Sequence, residues 1–225
     1  MQIDNHKIAF IICTNSPQYC NECVYYISKL DVPQGYTIDI IAIEQAECIT
    51  KAYNMAIKES NAKYKIYLHQ DVFLVRKDIL HELLEIFSNP QIAMIGAAGI
   101  TTVKPFFSNG FKWDCGVLYV HDALSTSLLN FGDIHSAYER VQAIDGMFMA
   151  TQYDLPWRED VFTGWDYYDL SQSMVFLQNG YDIVVPNTTE PWLLHDHGIL
   201  NYKNYYHWQE VFLKEYEDYI LSISE

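Results

Sequence analysis

The chain has 225 residues, half of them hydrophobic and 15 % aromatic, and 14 basic against 29 acidic side chains give a formal net charge of −15. This composition excludes extended disorder, and the length supports a core that needs no disulfide or structural metal. The negative charge argues against a nucleic-acid-binding protein, which needs clustered Lys and Arg. An anionic ligand must therefore bind locally, through a divalent cation or backbone N–H groups.

The first hundred residues alternate between strand and helix patterns. Continuous apolar runs predict strands over 7–13, 36–43, 64–68 and 92–95, and helical spacing predicts helices over 16–30, 49–60 and 76–88. This alternation predicts an α/β fold with a mostly parallel central sheet flanked by helices. In such sheets ligands bind beyond the carboxyl ends of the strands.

The second half predicts an extension of the same sheet rather than a separate fold. A loop over 101–110 precedes predicted strands over 111–121 and 140–151, and a helix over 166–179 is followed by a strand over 181–185. The last segment, 201–220, predicts a long aromatic helix that covers the sheet or a second subunit of a homo-oligomer. We therefore expect a single domain over 1–225.

Sequence features also predict a location in the cytoplasm. The longest apolar runs are far shorter than the roughly 20 residues that span a membrane, so we expect no transmembrane segment. The first seven residues lack the basic and apolar regions of a signal peptide. Five cysteines, an odd number, fit a reducing compartment.

The sharpest local signal is the tripeptide His69-Gln70-Asp71, which interrupts an apolar run at the end of a predicted strand. A carboxylate held at this place suits a hard cation that prefers oxygen ligands. The alternative, with equal weight, is a solvated Asp in a turn.

A second signal is the tripeptide His195-Asp196-His197. In an extended segment both imidazoles lie on one side, and two His at this spacing can approach one metal ion. The alternative is a polar loop after an apolar strand.

Acidic residues supply the third signal. Asp166 and Asp169, three residues apart, are expected to share one face at the start of a helix, where an ionised carboxylate can act as a general base or simply cap the helix. Asp145-Gly146 interrupts an apolar strand. The Asp is either paired in the core or faces a pocket, and the Gly would permit close approach of a ligand.

In this order, the segments from about residue 7 to 198 resemble the GT-A type glycosyltransferases that use nucleotide sugars, of the family-2-like branch. The tripeptide 69–71 occupies the place of the D-x-D motif, and its last Asp that of the metal ligand. Segment 164–170 is similar to the (E/D)-D-x-D-L helix, and a late His completes the metal site. The positions assigned to the nucleotide sugar are Thr14, Asn15, Glu44, Asn54, His69, Gln70 and Asp145.

The sequence departs from the family pattern at two places. His69 replaces the first Asp of D-x-D, and Tyr167 falls on the usual base position. Asp166 is therefore the first choice for the catalytic base and Asp169 the second. A Q-x-x-R-W type signature is absent, which argues against processive polymer synthesis.

The resemblance implies a Rossmann-like GT-A domain with a nucleotide-binding half over 1–100, an acceptor-side half over 101–200 and a C-terminal helix over 201–225. It implies inverting transfer of a sugar from a nucleoside diphosphate sugar, with a UDP-sugar favoured, to a hydroxyl of a glycan or other acceptor. Mn²⁺ or Mg²⁺ would be held by Asp71 with His195 or His197. Two alternatives remain: a degenerate GT-A module that binds nucleotide or glycan without catalysis, and a structural protein that uses its aromatic last helix as an interface.

Overall fold

The structure, a computed structural model, describes residues 1–104, 112–199 and 202–223, which form thirteen strands and five helices. The strands are β1 Asp4–Thr14, β2 Thr37–Glu44, β3 Ala62–His69, β4 Val72–Leu74, β5 Ile92–Gly96, β6 Ala98–Ile100, β7 Cys115–Asp122, β8 Thr126–Gly132, β9 Tyr138–Val141, β10 Ala143–Ile144, β11 Phe148–Thr151, β12 Asp182–Pro186 and β13 Leu193–Gly198. The helices are α1 Pro17–Ile27, α2 Ile49–Glu59, α3 Ile79–Phe87, α4 Tyr168–Gln178 and α5 Tyr205–Ile223. Across these ranges no helix combines the length and apolarity that a membrane crossing requires.

The strands of the described residues form two sheets. The first has seven strands in the order β2-β1-β3-β11-β5-β12-β9, and all except β11 and β9 run in the same direction. This confirms the predicted mostly parallel sheet. The second sheet has the order β10-β6-β7-β13-β4, with β8 beside β7, and was not predicted.

Strand β1 is buried on both faces from Ile8 onward, as its apolar run predicted. Phe10 and Ile12 pack in the cluster that holds α1 and α3, whereas Ile11 and Cys13 pack in the cluster with α2 and α4. This alternation follows from the period of two in a strand. Helix α1 begins where expected, because the Ser16 side chain accepts the backbone N–H of Tyr19.

Strand register brings the ends of β1, β2 and β3 to one edge. Cys13 lies beside His69, and Thr14 lies beside Glu44. Residues 69–71 then carry the chain from β3 in the first sheet towards β4 in the second, and residues 145–147 carry it back from β10 to β11. The polar residues singled out in the sequence therefore lie at the junction of the two sheets.

The prediction of one strand over 140–151 is wrong. The segment is divided among β9 and β11, which lie in the first sheet, and β10, which lies in the second. The carboxylate of Asp145 accepts the N–H of Met147 at 2.9 Å, a local bond that favours a turn over a continuous strand.

The prediction that a helix begins at Asp166 is also wrong. Helix α4 begins at Tyr168, because Tyr167 has a left-handed backbone with φ of 62° and its buried ring packs against Tyr205 and Phe212. Asp166 and Asp169 therefore do not share a helix face. Much of the predicted loop over 101–110, the first residue of the strand over 111–121 and the first residue of the helix over 201–220 lie outside the described residues.

Candidate active site

Three side chains from distant parts of the chain converge at the junction of the sheets. Ligand atoms of His69, Asp71 and His195 all lie within 4.8 Å of one another, and the Nε2 atom of His195 is 3.6 Å from Oδ1 of Asp71. Pairing of β4 with β13 causes this, since it sets His195 opposite Val72 and joins the Asp196 N–H to the Asp71 carbonyl at 2.8 Å.

The charge states of this cluster suit a divalent cation. Oδ1 of Asp71 is buried and has no hydrogen-bond partner in the described part of the chain. Burial opposes ionisation of Asp71, but the His195 and His69 imidazoles together hold the pKa of its carboxyl below the usual value. Burial, and then the nearby His195, lower the pKa of His69. Metal binding requires an ionised carboxylate and an unprotonated imidazole nitrogen, so the lowered pKa values of Asp71 and His69 both favour a cation here.

Hydrogen bonds fix both the side chain and the backbone of His69, whereas His197 lies beside the cluster. Nε2 of the His69 ring is 2.6 Å from the hydroxyl of Tyr168, and the backbone N–H of His69 donates to the Met147 carbonyl at 3.1 Å. The ring centre of His197 lies 5.5 Å from that of His195, and its Nδ1 is 2.9 Å from the Gly198 carbonyl. The structure thus joins Asp71 to His195 and adds His69, which the sequence analysis had assigned to the nucleotide sugar.

A cleft of about 420 Å³, the β1–β3 cleft, opens beside this cluster. Gln70 organises its rim. Its side-chain carbonyl accepts the Thr14 hydroxyl at 2.8 Å, the Asn15 N–H at 3.1 Å and the Ser16 N–H at 2.9 Å, and its amide donates to the Asn15 side chain at 2.7 Å. The residues that line the cleft are Cys13, Thr14, Asn15, Gln45, Ala46, Ile49, Tyr53, Leu68, His69, Gln70, Asp71 and Trp165.

Two residues predicted to bind the nucleotide sugar, Glu44 and Asn54, are not among the residues that line the β1–β3 cleft. Glu44 is exposed at the end of β2, and the next residue, Gln45, turns into the cleft with a left-handed φ of 53°. Asn54 is hydrogen-bonded elsewhere. Its amide donates to the Trp157 carbonyl and to Glu159, both at 2.9 Å, and its carbonyl accepts the Trp157 N–H at 2.8 Å. Asn54 therefore fixes a neighbouring loop.

A second cavity of about 310 Å³, the α4 cavity, lies on the other side of His69. It shares His69 and Trp165 with the β1–β3 cleft and contains the three candidate carboxylates. Its lining residues are His69, Trp113, Asp145, Gly146, Trp165, Asp166, Tyr167, Tyr168, Asp169, Leu170, Tyr202 and Tyr205. Two compartments therefore meet at the His69–Asp71–His195 cluster.

The carboxylates of the α4 cavity differ in environment. Asp169 is buried, and its oxygens accept the N–H groups of Gly146 at 2.8 Å and Leu170 at 2.9 Å. Burial, with a smaller contribution from Asp145, raises the pKa of Asp169 to about 7. Asp166 is half-buried, burial raises the pKa of its carboxyl, and no hydrogen bond holds it within the described ranges.

Tyr168 is a site residue that the sequence analysis missed. Besides contacting His69, its hydroxyl fills the space beside Gly146, where an added Cβ would lie 2.2 Å from that oxygen. Gly146 thus admits Tyr168, where the sequence had suggested a ligand. No sequence signal marks this pairing, because Tyr168 is one of 18 tyrosines and its partners are far away in the chain.

A family model described as "Glycosyltransferase like family" matches residues 9–216 of the chain. The chain belongs to this glycosyltransferase-like family. The resemblance stated from the sequence is therefore confirmed. No curated protein matches this glycosyltransferase-family chain significantly.

Solved structures share the fold at low sequence identity. S. aureus TarS matches with a TM-score of 0.55 and 12 % identity over 93 % of this chain and 39 % of its own. The mannosyltransferase PcManGT from Pyrobaculum calidifontis, in complex with GDP-Man and Mn²⁺, matches with a TM-score of 0.53 and 13 % identity over 91 % of this chain and 60 % of its own. The TarS fragment 1–349 in complex with UDP-GlcNAc matches with a TM-score of 0.50 and 11 % identity, over 87 % and 59 %. The chain thus spans less than two thirds of each of these proteins, and the likeness shows the GT-A fold.

Proposed function

We propose that the protein transfers a sugar from a nucleoside diphosphate sugar to an acceptor hydroxyl with the help of a divalent cation. The observation that carries the proposal is the place of the His69–Asp71–His195 cluster, where the β1–β3 cleft meets the acid-lined α4 cavity. A diphosphate bound in the cleft would lie against the cation, and an acceptor bound in the cavity would approach the sugar from the other side. The neighbours solved with GDP-Man and Mn²⁺ and with UDP-GlcNAc support this choice.

The donor fits the β1–β3 cleft by size and by polarity. A volume of about 420 Å³ is in the range typical of small-molecule sites. Thr14, Asn15 and Gln70 offer hydroxyl and amide groups at its rim, and Glu44 at the end of β2 would read a uracil or ribose, so a UDP-sugar is favoured.

Asp71 and His195, with His69 or His197, would hold Mn²⁺ or Mg²⁺. When bound, the cation acts as a Lewis acid that offsets the charge developing on the leaving diphosphate. The chain itself has a net charge of −15 and would repel this donor without a local cation.

Asp166 is proposed as the general base of an inverting transfer. Its carboxylate accepts the proton of the acceptor hydroxyl while the oxygen forms a bond to the anomeric carbon and the bond from that carbon to the diphosphate oxygen breaks. Asp169, already bonded to two backbone N–H groups, is the second choice. Asp145 would hydrogen-bond hydroxyls of the sugar or acceptor. Trp113 and Trp165 would stack on a glycan acceptor.

Transfer assays on paired variants test this assignment. With Mn²⁺ and a panel of UDP- and GDP-sugars, Asp166→Asn should lower kcat by about two to four orders of magnitude, the usual contribution of general base catalysis. Donor affinity, read from the thermal shift with nucleotide, should stay nearly unchanged. Asp218→Asn, at an exposed position of α5, is the control that should retain full activity. If Asp169→Asn alone causes the loss of kcat, the base is Asp169.

Chelation tests the cation. Nucleotide diphosphates should raise the melting temperature with Mn²⁺ and lose this effect in EDTA. An equal shift in EDTA would contradict the metal dependence.

One observation favours a second function, a GT-A module that binds nucleotide or glycan without transfer. Tyr167 stands at the family's usual base position, and its ring is buried against α5 and away from solvent. Under this alternative, the protein should bind nucleotide in the presence of Mn²⁺ but should neither transfer the sugar nor hydrolyse the donor.

Location and organisation remain proposals of the same kind. All five cysteines are free and buried, which fits a reducing compartment such as the cytoplasm. A single domain over 1–225 and a homo-oligomer built on α5 are likewise open to direct test by limited proteolysis and by measurement of mass in solution.

A further inference from the structure

We propose that His69 is itself a ligand of the cation, through Nδ1, so that two imidazoles and one carboxylate form a site that prefers transition-metal ions to Mg²⁺. This inference rests on the cation site of the proposed function. It assigns a role to the one residue of the tripeptide 69–71 that departs from the family's D-x-D pattern. It also gives a task to Tyr168, which the proposed mechanism does not use.

The geometry of the cluster fits one ion. Two atoms bound to the same ion at roughly 2.0–2.2 Å each lie at most roughly 4.4 Å apart. The ligand atoms of His69, Asp71 and His195 lie within 4.8 Å of one another, and the pair from Asp71 and His195 is already at 3.6 Å. Small side-chain rotations therefore suffice. Oδ1 of Asp71, buried and without a hydrogen-bond partner among the described residues, is available for this bond.

The contact with Tyr168 indicates which nitrogen of His69 would bind the ion. A ligating imidazole binds metal through one nitrogen and donates the N–H of the other to a nearby acceptor. The hydroxyl of Tyr168, 2.6 Å from Nε2, can accept that hydrogen, which leaves the lone pair on Nδ1. Nδ1 makes no hydrogen bond with any residue that the structure describes.

Tyr168 is in turn held in place by its surroundings. Its ring is buried, and its hydroxyl is packed so closely on Gly146 that no side chain fits there. The backbone N–H of His69 donates to the carbonyl of Met147, the residue that follows Gly146 in the chain. Both ends of the Tyr168–His69 contact are therefore fixed before any ion binds. Such a preformed arrangement favours metal binding even without a nucleotide.

The ligand set determines which ions bind well. Imidazole nitrogen suits transition-metal ions such as Zn²⁺ and Fe²⁺, and Mn²⁺ also accepts the Asp71 carboxylate. Mg²⁺ requires near-ideal octahedral oxygen ligands and gives up water reluctantly. Where the D-x-D pattern has a carboxylate, His69 offers a nitrogen in place of an oxygen. We expect the protein without nucleotide to bind Mn²⁺ at least about tenfold more tightly than Mg²⁺.

Pulsed EPR of Mn²⁺ bound to the full chain counts the imidazole nitrogens directly, with no need for catalysis. The wild-type protein should show two, and His69→Ala should show one, with Mn²⁺ affinity at least about tenfold weaker. His69→Asp should also show one nitrogen and should reduce the preference for Mn²⁺ over Mg²⁺ about tenfold. Tyr168→Phe should keep two nitrogens and bind Mn²⁺ more weakly. His81→Ala, at an exposed position of α3, is the matched control and should behave as wild type.

The outcomes separate this inference from the proposed function. A single nitrogen in the wild-type protein, or two in His69→Ala, overturns the role of His69 and leaves the metal-dependent transferase intact. Loss of a nitrogen in His197→Ala in place of His69→Ala also overturns it. Absence of Mn²⁺ binding with and without UDP removes the cation from the proposed function itself. If a substitution at residue 69 prevents folding, His197→Ala decides the question, because two retained nitrogens assign the second imidazole to His69 and one retained nitrogen assigns it to His197.

Discussion

The buried carboxyl group of Asp169 should make the stability of the protein depend on pH in a way that one substitution isolates. Burial, and then Asp145, raise its pKa from the ordinary value of 3.8 to about 7. Between these two pH values the folded protein keeps a proton that the unfolded chain has released. The free energy of unfolding must therefore fall as the pH rises through this window.

The size of this effect follows from the shift in pKa. A rise of about three units, at 1.36 kcal/mol per unit, corresponds to about 4 kcal/mol lost between about pH 4 and pH 8. Asp169 is buried, so solvent screens the interaction little. Asp169→Asn cannot ionise and should lack this loss. At low pH the variant should be less stable than wild type by about 1–3 kcal/mol. The side-chain NH₂ of Asn would replace one of the two Asp169 oxygens, so the N–H of Gly146 or of Leu170 would lose its acceptor.

Urea unfolding at closely spaced pH values measures both effects. The difference in unfolding free energy between wild type and Asp169→Asn should change steadily with pH and reverse its sign between about pH 4.5 and pH 6. Asp145→Asn is a useful control, because removal of the neighbouring charge should lower the pKa of Asp169 and reduce the pH dependence. Parallel curves for wild type and Asp169→Asn would refute the assignment of an elevated pKa to this group.

Three further substitutions follow from packing and hydrogen bonds. Gln70→Ala should destabilise the fold by about 1–2 kcal/mol and weaken nucleotide-dependent thermal shifts, since three donors at the rim of the β1–β3 cleft lose their acceptor; an unchanged shift would contradict this. Asn54→Ala should cost about 1–3 kcal/mol in urea unfolding, because the Trp157 N–H loses its acceptor while the Trp157 carbonyl keeps only the Glu159 N–H; donor affinity in the folded variant should be retained. Gly164→Ala should cost about 1–3 kcal/mol, since its Cβ would lie 2.4 Å from the Trp208 indole. Trp208→Phe in the same chain should recover part of that loss, and no recovery would locate the strain elsewhere.

The first half of the fold could be predicted from the sequence because its signals are local. Continuous apolar runs marked β1, β2, β3 and β5, and the Ser16 cap marked the start of α1. In the second sheet the sequence predicted β7, within the strand over 111–121, but missed β4, β6 and β10, which are short, and β8, which is exposed along most of its length. Such strands are defined by pairing with distant partners and carry no periodic pattern of their own.

The candidate site was predictable to the same extent. The polar residues after strands and the alternation of His195 and His197 indicated segments that the structure brings together. The choice among ligands depended on contacts between residues distant in sequence, namely the pairing of β13 with β4 and the contact of Tyr168 with His69. The left-handed backbone of Tyr167, which moved the start of α4, depends on packing against α5 that no local pattern shows.

The β1–β3 cleft and the α4 cavity share two lining side chains, His69 and Trp165. This sharing has a consequence for hybrids made from related enzymes. Residues up to 71 line the β1–β3 cleft together with Trp165, and residues from 113 onward line the α4 cavity together with His69. A hybrid that joins the front half of one family member to the back half of another should inherit donor choice from the first parent and acceptor choice from the second. Such a hybrid should transfer sugar only where the side chains at positions 69 and 165, which come from different parents, remain sterically compatible. Hybrids with a mismatched pair should fold and bind each substrate but should not transfer the sugar between them.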